Sequence, residues 1–172
     1  GGGIKGDQRY EGSVKVSSEG EMSGASLSIS KGSSVSVKGS GGRMGFSEVK
    51  VGEGEGKGAV TISEGSQVEG KRMVLGEGSG SEGVMEVKGV GSKVKLEEMV
   101  VGKEGKGDVS IGEGAVVEVD VLELGANGGF KLGGGELKVR YLKVPSGSGM
   151  KTIELKGGRF MAFRVEGSIN NL

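Results

Sequence analysis

The 23 acidic and 23 basic side chains supply most of the reactive chemistry in this 172-residue chain, which contains neither histidine nor cysteine. The commonest general base and metal ligand is therefore missing, as is any thiolate nucleophile or disulfide framework. A glycan-cleaving enzyme would need clustered carboxylates across the scissile bond, or a Lys or Arg base beside an acidic metal site. The three aspartates, Asp7, Asp108 and Asp120, are scattered along the chain. Glu64 and Glu113 form the best candidate pair, because each follows an equivalent apolar triplet, Val60-Thr61-Ile62 or Val109-Ser110-Ile111. Solvated turn charges are by far the stronger reading of both, so no catalytic residue is assigned and the chain is read as a non-enzyme.

Two glycine-rich segments resemble phosphate-binding loops. GEGKGA (Gly54–Ala59) fits G-x-G-x-x-G/A, but a dinucleotide site needs a helix to follow, and Val60-Thr61-Ile62 reads as a strand. GSQVEGKR (Gly65–Arg72) places Arg72 where Ser or Thr should hold Mg²⁺. The calcium-binding G-G-x-G-x-D repeat does not occur. No cofactor or metal site is assigned. An ice-binding ladder of threonines is also missing, since Thr61 stands alone among Ser28, Glu86, Ser110, Lys131 and Glu154.

The elements that would position these residues are short and repeated. Net charge is zero and the signs are interleaved, which argues against electrostatic capture of nucleic acid or an anionic membrane. No apolar run is long enough for membrane insertion. The Gly-Gly-Gly start without Met reads as a processed, excised or engineered segment. There are 40 glycines and one proline, yet no collagen-like period. Apolar residues come in pairs one residue apart, the period of a strand. Three such slots recur in order. Slot A begins at Val14, Val49, Met73, Met99, Leu122, Leu142 and, in part, Phe163. Slot B begins at Leu27, Val60, Met85, Val109, Phe130 and Ile153. Slot C begins at Val35, Val68, Val94, Val117, Leu137 and Phe160.

Apart from one gap of 35, the slot A starts are 20–26 residues apart, the signature of a repeat array. The long gap is assigned to a loop insertion at Lys38–Phe46. Three-residue strands are too short for isolated hairpins, whereas stacking like slots on like slots satisfies every apolar pair. The expected fold is an all-β parallel solenoid with three short strands per coil and six to seven coils. Residues 1–172 form one domain in this reading, with repeats over 14–165 and irregular ends at 1–13 and 166–172. Ile29, Ile62, Val87, Ile111, Leu132 and Leu155 are expected to form an inward ladder. Glu69, Lys95, Glu118 and Lys138 alternate in sign on the outside, as stacked strands favour. Val74 and Val100 are expected to face outward between Lys50 and Glu123, and are the candidate contact patch. Neither end reads as a cap, so the expectation is a piece of a longer solenoid or ends covered by irregular loops, and end-to-end or lateral self-association is a further partner expectation.

The segments VGEGEGKGAVTISEGSQV (Val51–Val68), LGEGSGSEGVMEVKGVGSKV (Leu75–Val94) and VGKEGKGDVSIGEGAVV (Val101–Val117) resemble the Gly-rich repeats of bacterial autotransporter passengers and related adhesin-like surface proteins. ELGANGGFKLGGGELKV (Glu123–Val139) and IELKGGRFMAF (Ile153–Phe163) are similar to the shorter repeat of these proteins. The resemblance implies a right-handed parallel β-helix, secretion to the cell surface, and a structural or adhesive role toward a glycan or an extracellular host protein. It implies no catalytic residue. The chain departs from the family in having only two Thr, three Asn and three Asp, with Glu and Lys outside instead. That composition also suits a redesigned solenoid scaffold with no native function. A carbohydrate-active β-helix enzyme is the third reading.

Overall fold

The computed structural model describes residues 20–145 and 152–167, together with the backbone of three strands before them. Those three are β1 (Gly3–Ile4), β2 (Gln8–Tyr10) and β3 (Ser13–Val16). Next come β4 (Glu21–Ile29), β5 (Ser33–Lys38), β6 (Arg43–Glu53), β7 (Gly56–Ser63) and β8 (Gln67–Glu77). The middle of the chain forms β9 (Ser81–Lys88), β10 (Lys93–Val101), β11 (Lys106–Gly112) and β12 (Val116–Leu124). The last strands are β13 (Gly128–Gly133), β14 (Glu136–Val144), β15 (Thr152–Leu155) and β16 (Arg159–Gly167). There is no helix among the described residues.

From β4 onward the chain alternates between two sheets. One runs β1-β4-β6-β8-β10-β12-β14-β16, with β2 also on β4, and the other runs β3-β5-β7-β9-β11-β13-β15. Every ladder between named strands is parallel. Each coil is therefore one long strand and one short strand, laid beside the same strands of the previous coil. The result is a parallel β-solenoid of about six turns. At roughly 4.8 Å per turn the stack is roughly 30 Å long.

All three expected slots are present, but slots C and A are the two arms of one bent strand. In β10, Val94 and Leu96 are buried, Glu97 and Glu98 both face out, and Met99 and Val101 are buried again. The in-out alternation slips by one residue at the bend, and the ladders to both neighbours pass over Glu97. Hydrogen bonding resumes at once, so the strand continues without a turn.

The first coil is one slot away from its expected position. Val14-Lys15-Val16 pairs with Val35-Ser36-Val37 in the second sheet, and Leu27-Ser28-Ile29 pairs with Val49-Lys50-Val51 in the first. Lys38–Phe46 is not a loop insertion. Lys38 ends β5, and Met44-Gly45-Phe46 is a slot C arm stacked on Val68-Glu69-Gly70. After Gln8 of β2, the slot A arms thus start at Leu27, Val49, Met73, Met99, Leu122, Leu142 and Val165, the last seven at spacings of 22, 24, 26, 23, 20 and 23. The gap of 35 disappears. Glycine hid this arm. Gly45 takes an outward register position, while Gly24 and Gly70 flank Phe46 in its own column. A Cβ on Gly70 would lie 2.7 Å from the Phe46 carbonyl oxygen.

At the other end, Val165 rather than Phe163 continues the slot A column, and Phe163 sits at the bend. Glu166–Gly167 lies in β16, and β1, β2 and Ser13 are likewise strand where an irregular end was expected. The rest of 1–13 and 166–172 lies outside the described residues. The inward ladder is Val37, Ile62, Val87, Ile111, Leu132 and Leu155, because Ile29 belongs to the other sheet. Its first five members are buried and Leu155, in the last coil, is half exposed.

Candidate functional site

The outward face of slot A carries the candidate contact patch. Register places Lys50, Val74, Val100 and Glu123 side by side on successive coils, in the expected order. The two valines are nevertheless only 4% and 2% exposed, and they stand apart from the main core cluster. A contact patch needs accessible area, and this pair offers almost none. Long neighbours explain the burial. Lys50 lies beside Val74 on the preceding coil, Arg72 two residues before it on the same face, and Glu77 three residues after it. Lysine and arginine stems cover apolar surface while their heads reach charge partners.

Those heads form a continuous chain across four coils. Ser28 Oγ donates to Glu53 Oε2 at 2.6 Å. Lys50 Nζ lies 3.7 Å from Glu53, 3.6 Å from Glu48 and 3.2 Å from Glu77. Arg72 lies 3.5 Å from Glu48 and donates through Nε to Glu98 at 2.9 Å. Glu77 Oε2 is buried without a well-directed hydrogen bond, and the Lys50 ammonium is its charge partner. The hydrogen-bonding contact with Glu77 raises the Lys50 pKa above its ordinary value; burial opposes it, and the fields of Glu77, Glu53 and Glu48 add to the rise. Arg72 is raised in the same way, first by its hydrogen bond to Glu98. Each exposed pair contributes little alone, but the chain ties successive coils together.

The slot C face bears out the alternation of Glu69, Lys95, Glu118 and Lys138, which are register partners on neighbouring strands. Lys138 and Lys93 both approach Glu118, at 3.9 and 3.5 Å. A groove of about 440 Å³ crosses the bend over Gly45, Ser47, Glu69, Lys71, Lys95 and Asp120. A second, of about 450 Å³, lies over Asp120, Lys138, Arg140, Met161 and Phe163. Both mix signs and so lack the single-sign field that concentrates a charged ligand.

Glu64 and Glu113 are not brought together. The coil carrying β9 and Val90 lies between their turns, which places them about two coil spacings apart. Glu64 pairs with Lys38 at 3.5 Å. It also has a left-handed backbone with φ of 55°, as does Lys31 at 54°, and each precedes a glycine in a tight turn. The recurrence marks turn geometry. GEGKGA runs into strand β7, and most of GSQVEGKR lies in β8, so neither forms a loop before a helix.

Buried serines are the feature that the sequence reading missed. Ser66 Oγ lies 2.8 Å from the carbonyls of both Val37 and Ser63, with one proton to donate between them, and accepts from the Ser63 amide. Ser92 Oγ accepts from the Gly65 amide at 2.9 Å and lies 2.7 Å from the Lys88 carbonyl. These hydroxyls add hydrogen bonds to the backbone at the turn into slot C. The signal was a small residue two positions before each slot C arm: Gly42, Ser66, Ser92, Ala115, Gly135 and Gly158.

Comparison with protein-family models, curated proteins and solved structures finds no match to this chain.

Proposed function

We propose that this chain is a non-enzymatic structural and adhesive segment of a secreted, autotransporter-like bacterial surface protein, with a glycan or an extracellular protein as its partner. One observation carries the reading. Charged groups of the slot A face are engaged with one another across coils, from Glu53 through Lys50, Glu48 and Arg72 to Glu98, with the Ser28 hydroxyl on Glu53. Such a face stiffens a rod. The Gly-rich repeats support the surface-protein assignment by resemblance. The buried state of Val74 and Val100 moves any adhesive contact away from that pair.

The test is an array of glycans and extracellular-matrix proteins probed with the purified chain, beside a reducing-end assay on the polysaccharides. Saturable binding without release of reducing ends is expected. No binding on any array would remove the adhesive role, and release of reducing ends would overturn the non-enzymatic reading.

A further inference from the structure

The bend in the long strands leaves a trough on the outside of the first sheet. In each coil, the outward residue of slot C and the first residue of the bend stand on either side of one inward residue, as Lys95 and Glu97 do around Leu96. Those inward residues form one column of register partners: Phe46, Gly70, Leu96, Val119, Val139 and Ala162. The first groove described above has the first three in its lining, and the second groove has the last three. Asp120 lines both. The grooves are therefore two segments of one trough along the coil axis. From Gly24 to Phe163 it runs for roughly 30 Å, at about 4.8 Å per coil.

Its openness is a property of the bend. The ladders on either side of the bend place Ser47, Lys71, Glu97, Asp120, Arg140 and Phe163 on successive coils, and every one is exposed. Phe163, at 91% exposure, is outward by its place in this column.

The charges here differ from those of the slot A face. Glu69, Glu97 and Asp120 supply three carboxylates, and Lys71, Lys95 and Arg140 supply three cations. None of the six makes an ion pair or a side-chain hydrogen bond among the described residues. Their signs balance, so the trough concentrates neither a polyanion nor a polycation. Carboxylates accept hydroxyl protons, and ammonium and guanidinium groups donate to hydroxyl oxygens. An uncharged polyhydroxylated chain satisfies both kinds at once. The floor is mostly apolar, and the Phe163 ring offers a flat face to the C–H side of a sugar. An extended peptide fits less well. Strand addition needs free backbone groups at a sheet edge, whereas the trough crosses strands that already pair with one another.

We propose that this trough binds an uncharged polysaccharide laid along the coil axis. Asp120, where the grooves meet, and the neighbouring Arg140 make the polar contacts, and Phe163 is the stacking surface. The proposal rests on the adhesive reading above and gives the glycan a face.

Biolayer interferometry tests it, with the whole chain presented to an immobilised glucan, mannan, galactan and uronic-acid polymer. Saturable binding to at least one of the three uncharged polymers is expected. It should change little between about 0.05 and 0.5 M salt, because no net charge is being screened. Asp120→Ala/Arg140→Ala and Phe163→Ala, with unchanged circular dichroism spectra, should each weaken binding by about tenfold or more. Lys131→Ala/Glu154→Ala, on the second sheet, should bind as the unsubstituted chain does. Binding that survives both trough variants would overturn the trough assignment and leave the adhesive reading standing. Binding to the uronic-acid polymer alone would overturn the choice of an uncharged ligand. No binding to any polymer would overturn the proposal, and an extracellular protein captured on the array would then keep the adhesive reading with a different partner.

Discussion

A methyl group added to Gly83 would stand 2.0 Å from the Val51 carbonyl oxygen. That oxygen belongs to the preceding coil, so the glycine is required by close approach of two backbones rather than by its own torsion angles. Gly133 is the opposite case, with nothing within 4 Å of an added Cβ and an ordinary backbone. Gly83→Ala is therefore expected to lower stability by about 1–3 kcal/mol through overpacking. Gly133→Ala should raise it by about 0.4–1 kcal/mol by restricting the unfolded chain. Urea unfolding of the two variants checks this, and equal effects would contradict the coil packing. The same scale explains the fate of Val74 and Val100. Their place between Lys50 and Glu123 was legible from spacing, because register follows slot order. Their burial was not, because it depends on Lys50, Arg72 and Glu77, whose side chains reach across coils.

The bent long strand is the element on which the sequence and the fold part company. Where both arms carry alternating apolar residues, as in Val94-Lys95-Leu96 and Met99-Val100-Val101, each arm was readable. The bend was not, since it is made by an ordinary pair, Glu97-Glu98, rather than by glycine or proline. Met44-Gly45-Phe46 failed for the converse reason, with a glycine sitting inside a true arm. The ion-pair chain runs along the slot A arms and bend, and has its own pH signature. Lys50 holds its proton more tightly in the folded chain than its ordinary value of 10.5 implies. Its contribution is complete below that value and is lost as pH rises through the higher folded value. With no histidine or cysteine in the chain, the melting temperature should stay nearly flat from about pH 6 to 9 and fall above about pH 10.5. Lys50→Met should lower the plateau and shrink the alkaline fall, followed by circular dichroism melts. An unchanged alkaline fall in that variant would remove Lys50 from this role.

At the scale of the whole molecule, two parallel sheets joined coil by coil form a core in which like residues stack on like. The strand period and the recurring slot order were enough to read that architecture from Val49 to Val144. The first coil slipped because Val14-Lys15-Val16 and Leu27-Ser28-Ile29 have the same pattern, and only their stacking partners tell the slots apart. Register is thus the claim on which the ion-pair chain and the separation of Glu64 from Glu113 both depend. The most direct measurement of it is cysteine cross-linking in this cysteine-free chain. Ser110 and Lys131 are register partners on β11 and β13, whereas Ser110 and Gly133 are offset by two residues. Partners about 5 Å apart can close a disulfide, and residues more than about 7 Å apart cannot. Under mild oxidation, Ser110→Cys/Lys131→Cys should form an intramolecular disulfide in the monomer, and Ser110→Cys/Gly133→Cys should remain reduced, as read by mass spectrometry. Closure of the offset pair in place of the matched one, or of neither, would contradict the stacked register.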